Sequence, residues 1–167
     1  VPRAFNWGWY RKQDAGVERF PTEQELKSMN WQHIALGANG LVGYNFHSLE
    51  RDCDPKLAPE YWRRICRAFE PVRKMIPILL SVEPAPAVRN VPKMMPVRTW
   101  MKDDELYVLA VNPLTETQTA QLLLGVGKWM LCGIEVGAAE HVEVAGDRIG
   151  LTLPPIGFVM LRLRTPN

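Results

Sequence analysis

PTEQELKSMNWQHIALGANGLVGYNFH, Pro21 to His47, is the stretch whose interpretation sets the fold. Thr22 followed by Glu25 is a capping box: the hydroxyl serves one orphan N–H of the first turn and the carboxylate reaches back to another. Leu26, Met29, His33, Ile34 and Gly37 recur at helical spacing on one face. Gly37 and Gly40 end the helix, since glycine enters left-handed backbone at no steric cost. Gly40 to His47 (GLVGYNFH) then reads as a short buried strand. Upstream, Ala4 to Tyr10 (AFNWGWY) is aromatic and β-prone, and Arg11 to Phe20 is a charged loop. A helix between two such strands is long enough for a crossover, which predicts a parallel, right-handed βαβ unit. Downstream, Ser48 to Leu57 is a polar loop with Glu50, Asp52 and Asp54, and Pro59 suits the first turn of a second helix. Trp62, Ile65, Cys66, Phe69, Val72, Ile76 and Leu79 form its apolar stripe; Pro71 predicts a kink and Pro77 lies near its end.

Beyond this point the pattern changes. Pro84, Pro86, Pro92 and Pro96 mark a linker or strand lead-in. Hydrophobicity then alternates with period two. Strands are expected over Val97–Lys102, Glu105–Asn112, Gln118–Leu124, Trp129–Val136, His141–Val144, Arg148–Leu153 and Phe158–Arg164. Turn residues separate them: Asp103-Asp104, Asn112-Pro113, Gly125 to Gly127, Gly137, Gly146-Asp147 and Pro154-Pro155. Many short strands at this spacing predict a small antiparallel β-sandwich. The expected division is residues 1–83, a linker over 84–96, and a sandwich over 97–167.

Composition narrows the class. At 167 residues, 47% hydrophobic and 23% charged, the chain is a globular protein rather than a disordered one. A net charge of +2 is too small to imply nucleic acid, and no apolar run is long enough to span a membrane. Cys53, Cys66 and Cys132 are odd in number and form no CxxC pair, so neither a disulfide framework nor a metal site is expected. Cys66 and Cys132 read as small buried hydrophobes. Val1-Pro2 runs almost at once into a strand, without initiator Met or signal peptide, which predicts a start inside a longer reading frame. Compartment is not legible.

The stretch TEQELKSMNWQHIALGANGLVGYNFHSL resembles the seventh helix and eighth strand of glycoside hydrolase barrels. EYWRRICRAFEPVRKMIPILLS resembles their eighth helix, and LTLPPIGFVMLRLR resembles the last strand of the small β-sandwich that many such enzymes carry after the barrel. The resemblance implies an α/β then all-β chain: the last two βα units of a TIM-type (β/α)8 barrel followed by a small antiparallel β-sandwich. It implies a C-terminal fragment of a glycoside hydrolase acting on a poly- or oligosaccharide, inactive alone, with a carbohydrate partner and no cofactor. It further implies self-association through exposed barrel strand edges. One departure stands out. Retaining members place a Glu nucleophile at the end of strand seven, whereas AFNWGWY holds no carboxylate and Asp14 lies beyond it in the loop. The two carboxyl groups that glycoside hydrolysis needs are not identifiable, so the catalytic residues stay unknown. The alternative is a non-catalytic glycan- or protein-binding module; a third reading is a stand-alone α+β protein.

In a parallel barrel, function gathers at the C-terminal ends of the strands. That selects Trp9 and Tyr10 after the first strand, and Asn45, Phe46, His47 and Glu50 after the second, as substrate-binding candidates. Trp9 or Tyr10 offers a ring face to a sugar, or else packs between strand and helix. Asn45 and His47 offer donors and acceptors to hydroxyls, or else close a structural network at the rim. Glu50, Asp52 and Asp54 match no complete calcium loop and read as a solvated segment. Arg63, Arg64 and Arg67 read as a solvated helix face, and Trp100 and Trp129 as core.

Overall fold

The structure, a computed structural model, describes residues 20–43, 56–125 and 127–166. Within them lie two helices, α1 (Glu23–Ala35) and α2 (Ala58–Leu79). Seven strands follow: β1 (Val97–Lys102), β2 (Glu105–Val111), β3 (Gln118–Leu123), β4 (Met130–Gly137), β5 (His141–Ala145), β6 (Arg148–Leu153) and β7 (Phe158–Arg164). They form a four-stranded sheet in the order β1-β2-β7-β4 and a three-stranded sheet in the order β3-β6-β5. Every ladder is antiparallel, and β7 lies between β2 and β4.

Local chemistry explains the turns. β1 and β2 pair with Lys102 opposite Glu105, leaving Asp103 and Asp104 as a two-residue loop at φ 53° and 63°. Successive positive φ values match the right-handed twist of a hairpin, and Asp tolerates them better than most residues. Leu106, Val108, Leu122, Ile149, Leu151, Leu161 and Leu163 fill the space between the sheets. Alternate residues of the same strands face the other way: Tyr107, Leu109, Val111, Phe158 and Met160 meet Trp31, Ile34 and Ala35 of α1 and Met75 of α2.

α1 is buried on two sides. Leu26 meets Ile65 and Ala68 of α2, while Trp31 and Ile34 meet the sheet. Asn30 Nδ2 donates to Ala68 O at 3.1 Å, and Arg98 Nη1 of β1 donates to Ile34 O at 3.1 Å near the C-terminal end of α1. The capping box forms as expected: Glu25 N donates to Thr22 Oγ1 at 3.2 Å, and Thr22 N donates to Glu25 Oε2 at 2.7 Å. Burial on two sides is why Asn30 and Trp31, which lie off the expected face, are both inside.

No part of a TIM-type barrel is formed among the described residues. The described residues consist mainly of antiparallel sheet, hold two helices, and contain no barrel βα unit. The strand expected over Gly40–His47 is absent at 41–43, where Val42 is 73% exposed; residues 44–47 and Ala4–Tyr10 lie outside the described residues. The physical reason is that α1 and the C-terminal half of α2 pack on the outer face of the four-stranded sheet. Their apolar periodicity covers antiparallel strands rather than parallel ones. The barrel strand edges expected to drive self-association are therefore not among the described elements.

The proline-rich stretch has a structural role. Glu83 bridges to Met101 of β1, and Arg89 bridges to Leu123 of β3. Ser81 Oγ donates to Met101 O, and Thr99 Oγ1 donates to Pro86 O at 2.8 Å. Prolines suit such an edge-covering run because they need no partner for an N–H. At the opposite end of the strands, Asn112 is fully buried and joins two loops. Its Nδ2 donates to Glu116 O at 2.7 Å and Pro154 O at 2.8 Å, and Leu114 N donates to its Oδ1 at 3.0 Å.

Candidate interaction surface

The residues selected from the sequence, Trp9, Tyr10, Asn45, Phe46, His47 and Glu50, lie outside the described residues, as does Cys53. The described residues present another surface, built on α2. This helix has 22 residues and buries Ile65, Ala68 and Met75. α1, its cover, has 13 residues. At 1.5 Å per residue these helices are about 33 Å and about 20 Å long, so α1 cannot cover the whole stripe. Trp62, Ile76 and Leu80 stay 41%, 44% and 67% exposed. Their spacing, with half-buried Phe69 between, places them along one line of the helix. Val82 beyond the helix end, and Leu36 and Val42 after α1, are also exposed. Cys66, expected in the core, is exposed on this stripe, because the buried face is rotated toward Ile65 and Ala68; Cys132 is half-buried at a sheet edge.

Charged residues flank the stripe. Glu23 of α1 binds Lys27 at 2.6 Å and Arg67 at 2.7 Å, and Arg67 reaches Glu60 at 3.2 Å. The hydrogen bond from Lys27, then that from Arg67, holds the Glu23 carboxyl below the usual range. Exposed pairs of this kind add little stability, but this one joins α1 to α2. Arg63 and Arg67 are solvated as expected. Arg64 is partly buried, donating to Pro21 O at 3.0 Å and stacking on Tyr61.

A groove of about 390 Å³ lies between the helices and the end of β4, lined by Lys27, Pro71, Lys74, Glu135, Val136 and Phe158 among others. Its charged groups are engaged locally: Lys27 with Glu23, Lys74 with Glu70 at 3.0 Å, and Glu135 with Arg162 at 2.8 Å. The hydrogen bond from Lys74 holds the Glu70 carboxyl below its ordinary value. Arg162 sits between Glu135 and Glu105, donating from Nη1 to Glu105 at 2.9 Å. Its Nε lies close to Glu135 without an aligned N–H, so that contact is Coulombic rather than a hydrogen bond. Both carboxylates raise the affinity of Arg162 for its proton. Burial, then the hydrogen bond donated to Glu105, pushes the Tyr107 phenol up to about 12. Tyr107 is thus held as a neutral phenol that donates to Glu105 beside Arg162. Among the described residues no three His, Cys, Asp or Glu side chains gather as a metal site, and no helix is long and apolar enough to cross a membrane.

The chain matches no protein-family model, and a search of curated proteins finds no match. The sequence signal for the α2 surface was the length of the stripe itself, which runs from Trp62 to Leu79 and exceeds what a short neighbouring helix covers.

Proposed function

We propose that the chain is a non-catalytic protein-binding module, with the exposed stripe of α2 as its docking face and the sandwich as a rigid support. The observation that carries this reading is the exposure of Ile76 and Leu80 on a helix whose other face is anchored. Exposed apolar side chains rimmed by charge are a common feature of protein interfaces. The resemblance of the closing strands to the accessory sandwich of glycoside hydrolases suggests the partner: the catalytic domain of a carbohydrate-active enzyme.

The test is co-expression with carbohydrate-active catalytic domains encoded in the same genome. One domain is expected to co-purify with the wild-type chain and to be lost with Ile76→Asp or Leu80→Asp, while thermal stability holds. Equal retention by both variants would overturn the reading. So would binding of soluble oligosaccharides, by calorimetry, in place of any domain.

A further inference from the structure

The two flanks of the sandwich differ. One is covered by the proline-rich stretch, which bridges to β1 and β3. At the other flank, β4 is the edge of its sheet and, among the described residues, has a strand neighbour on one side, β7. Leu131 and Ile134 stand opposite Leu163 and Leu161, whose side chains fill the inter-sheet core. They are 40% and 46% exposed, so the core layer runs out to solvent there. Met130 beside them is 40% exposed, and the strand holds neither Lys nor Pro, two of the guards that edges use.

We propose that β4 pairs antiparallel with β4 of a second copy of this chain, about a two-fold axis between Gly133 and Ile134. Three features favour self-pairing. The first is charge: Lys128 precedes the strand, Arg164 pairs with Met130 at its start, and Glu140 follows its end. Antiparallel pairing sets the basic end of each copy beside the acidic end of the other. The second is register. β4 has irregularities at Cys132 and Glu135, and this two-fold axis places Cys132 opposite the partner's Glu135, so the irregular positions of the two copies coincide and Gly133-Ile134 sits at the centre. The third is like-charge avoidance, since no Glu135 faces Glu135. The interface is isologous, as most closed dimers are, and it covers Leu131 and Ile134 as the proline-rich stretch covers the far flank.

The test is sedimentation velocity on the full chain across micromolar concentrations, with and without added salt. A concentration-dependent dimer is expected, weakened by salt. Ile134→Lys places a charge on an already exposed position and is expected to weaken the dimer at least about tenfold. Lys128→Glu and Glu140→Lys should each weaken it, and the double reversal should restore it. A monomer at every concentration would overturn the proposal, as would a dimer indifferent to Ile134→Lys. Loss of the dimer with Ile76→Lys alone would place the contact on α2 and overturn it too, leaving the docking-face reading untouched.

Discussion

Replacing Asn112 with Ala should be among the most damaging single changes in the sandwich. The residue is wholly buried. The change removes donated bonds to Glu116 O at 2.7 Å and Pro154 O at 2.8 Å, and the acceptor for Leu114 N at 3.0 Å. A further contact to Leu153 O, at 3.4 Å, is long enough to count for little. Three good bonds at about 1 kcal/mol net each give about 3 kcal/mol, and carbonyls left without a partner add about 1 more. The backbone bond from Asn112 N to Gly157 O, 2.7 Å, survives. The expected loss is therefore about 4 kcal/mol, or a fall in Tm of about 8–16 °C for a chain of this size. Urea unfolding followed by tryptophan fluorescence reads it, since Trp100 and Trp129 are buried in the fold and become exposed when it unfolds. The urea dependence should keep its slope while the midpoint moves. Asn112→Asp keeps the acceptor for Leu114 but turns a carboxylate toward carbonyl oxygens, so it should cost at least as much. A loss under about 1 kcal/mol for Asn112→Ala would refute the view that this side chain ties the two loops together.

The Tyr107 phenol, pushed from 10.0 to about 12, keeps its proton in the fold while the unfolded chain loses it. Its contribution is intact below pH 10.0 and falls away as pH rises toward 12, by about 2–3 kcal/mol; a Tyr107→Phe protein should lack that part of the alkaline slope in denaturant titrations. Trp31 is fully buried and its Nε1 has no partner, so Trp31→Phe should cost about 1 kcal/mol or less against about 3–5 for Trp31→Ala. Equal costs for the two by calorimetry would contradict the orphan N–H. Gly137 has φ 76°, and a Cβ there would lie 2.0 Å from Phe158 O. Gly137→Ala should therefore destabilise by more than about 2 kcal/mol, seen as a lower thermal midpoint.

Legibility in the sequence followed the range of the interaction. The capped start of α1 and strands β1, β6 and β7 were readable to the residue, because capping boxes, alternation and turn residues act within a few positions. The barrel was misread because an apolar helical stripe looks the same whether it covers parallel or antiparallel strands. The partner sheet lies more than sixty positions away, as with Arg98 and Ile34. Gly40–Val42 followed a helix stop and looked like a buried strand, yet Val42 faces solvent. Asn112 read as a turn residue beside Pro113; that it is also a buried junction depends on Pro154, 42 residues on. The α2 surface needed the relative lengths of two helices, a comparison between elements that no single window contains.

The position of β7 fixes when this domain can form during synthesis. β7 is hydrogen-bonded to both β2 and β4, yet it is translated after both. While the nascent chain is still short of Phe158, β4 has no strand in its own sheet to pair with, and β2 has its hairpin partner β1 alone. The sheet that carries the helices can close only once Arg164 has cleared the ribosomal exit tunnel. Until then β2 lacks its second hydrogen-bonding neighbour, the inter-sheet core lacks Leu161 and Leu163, and the helix-facing side lacks Phe158 and Met160, so a ribosome stalled between β6 and β7 would hold an incomplete core.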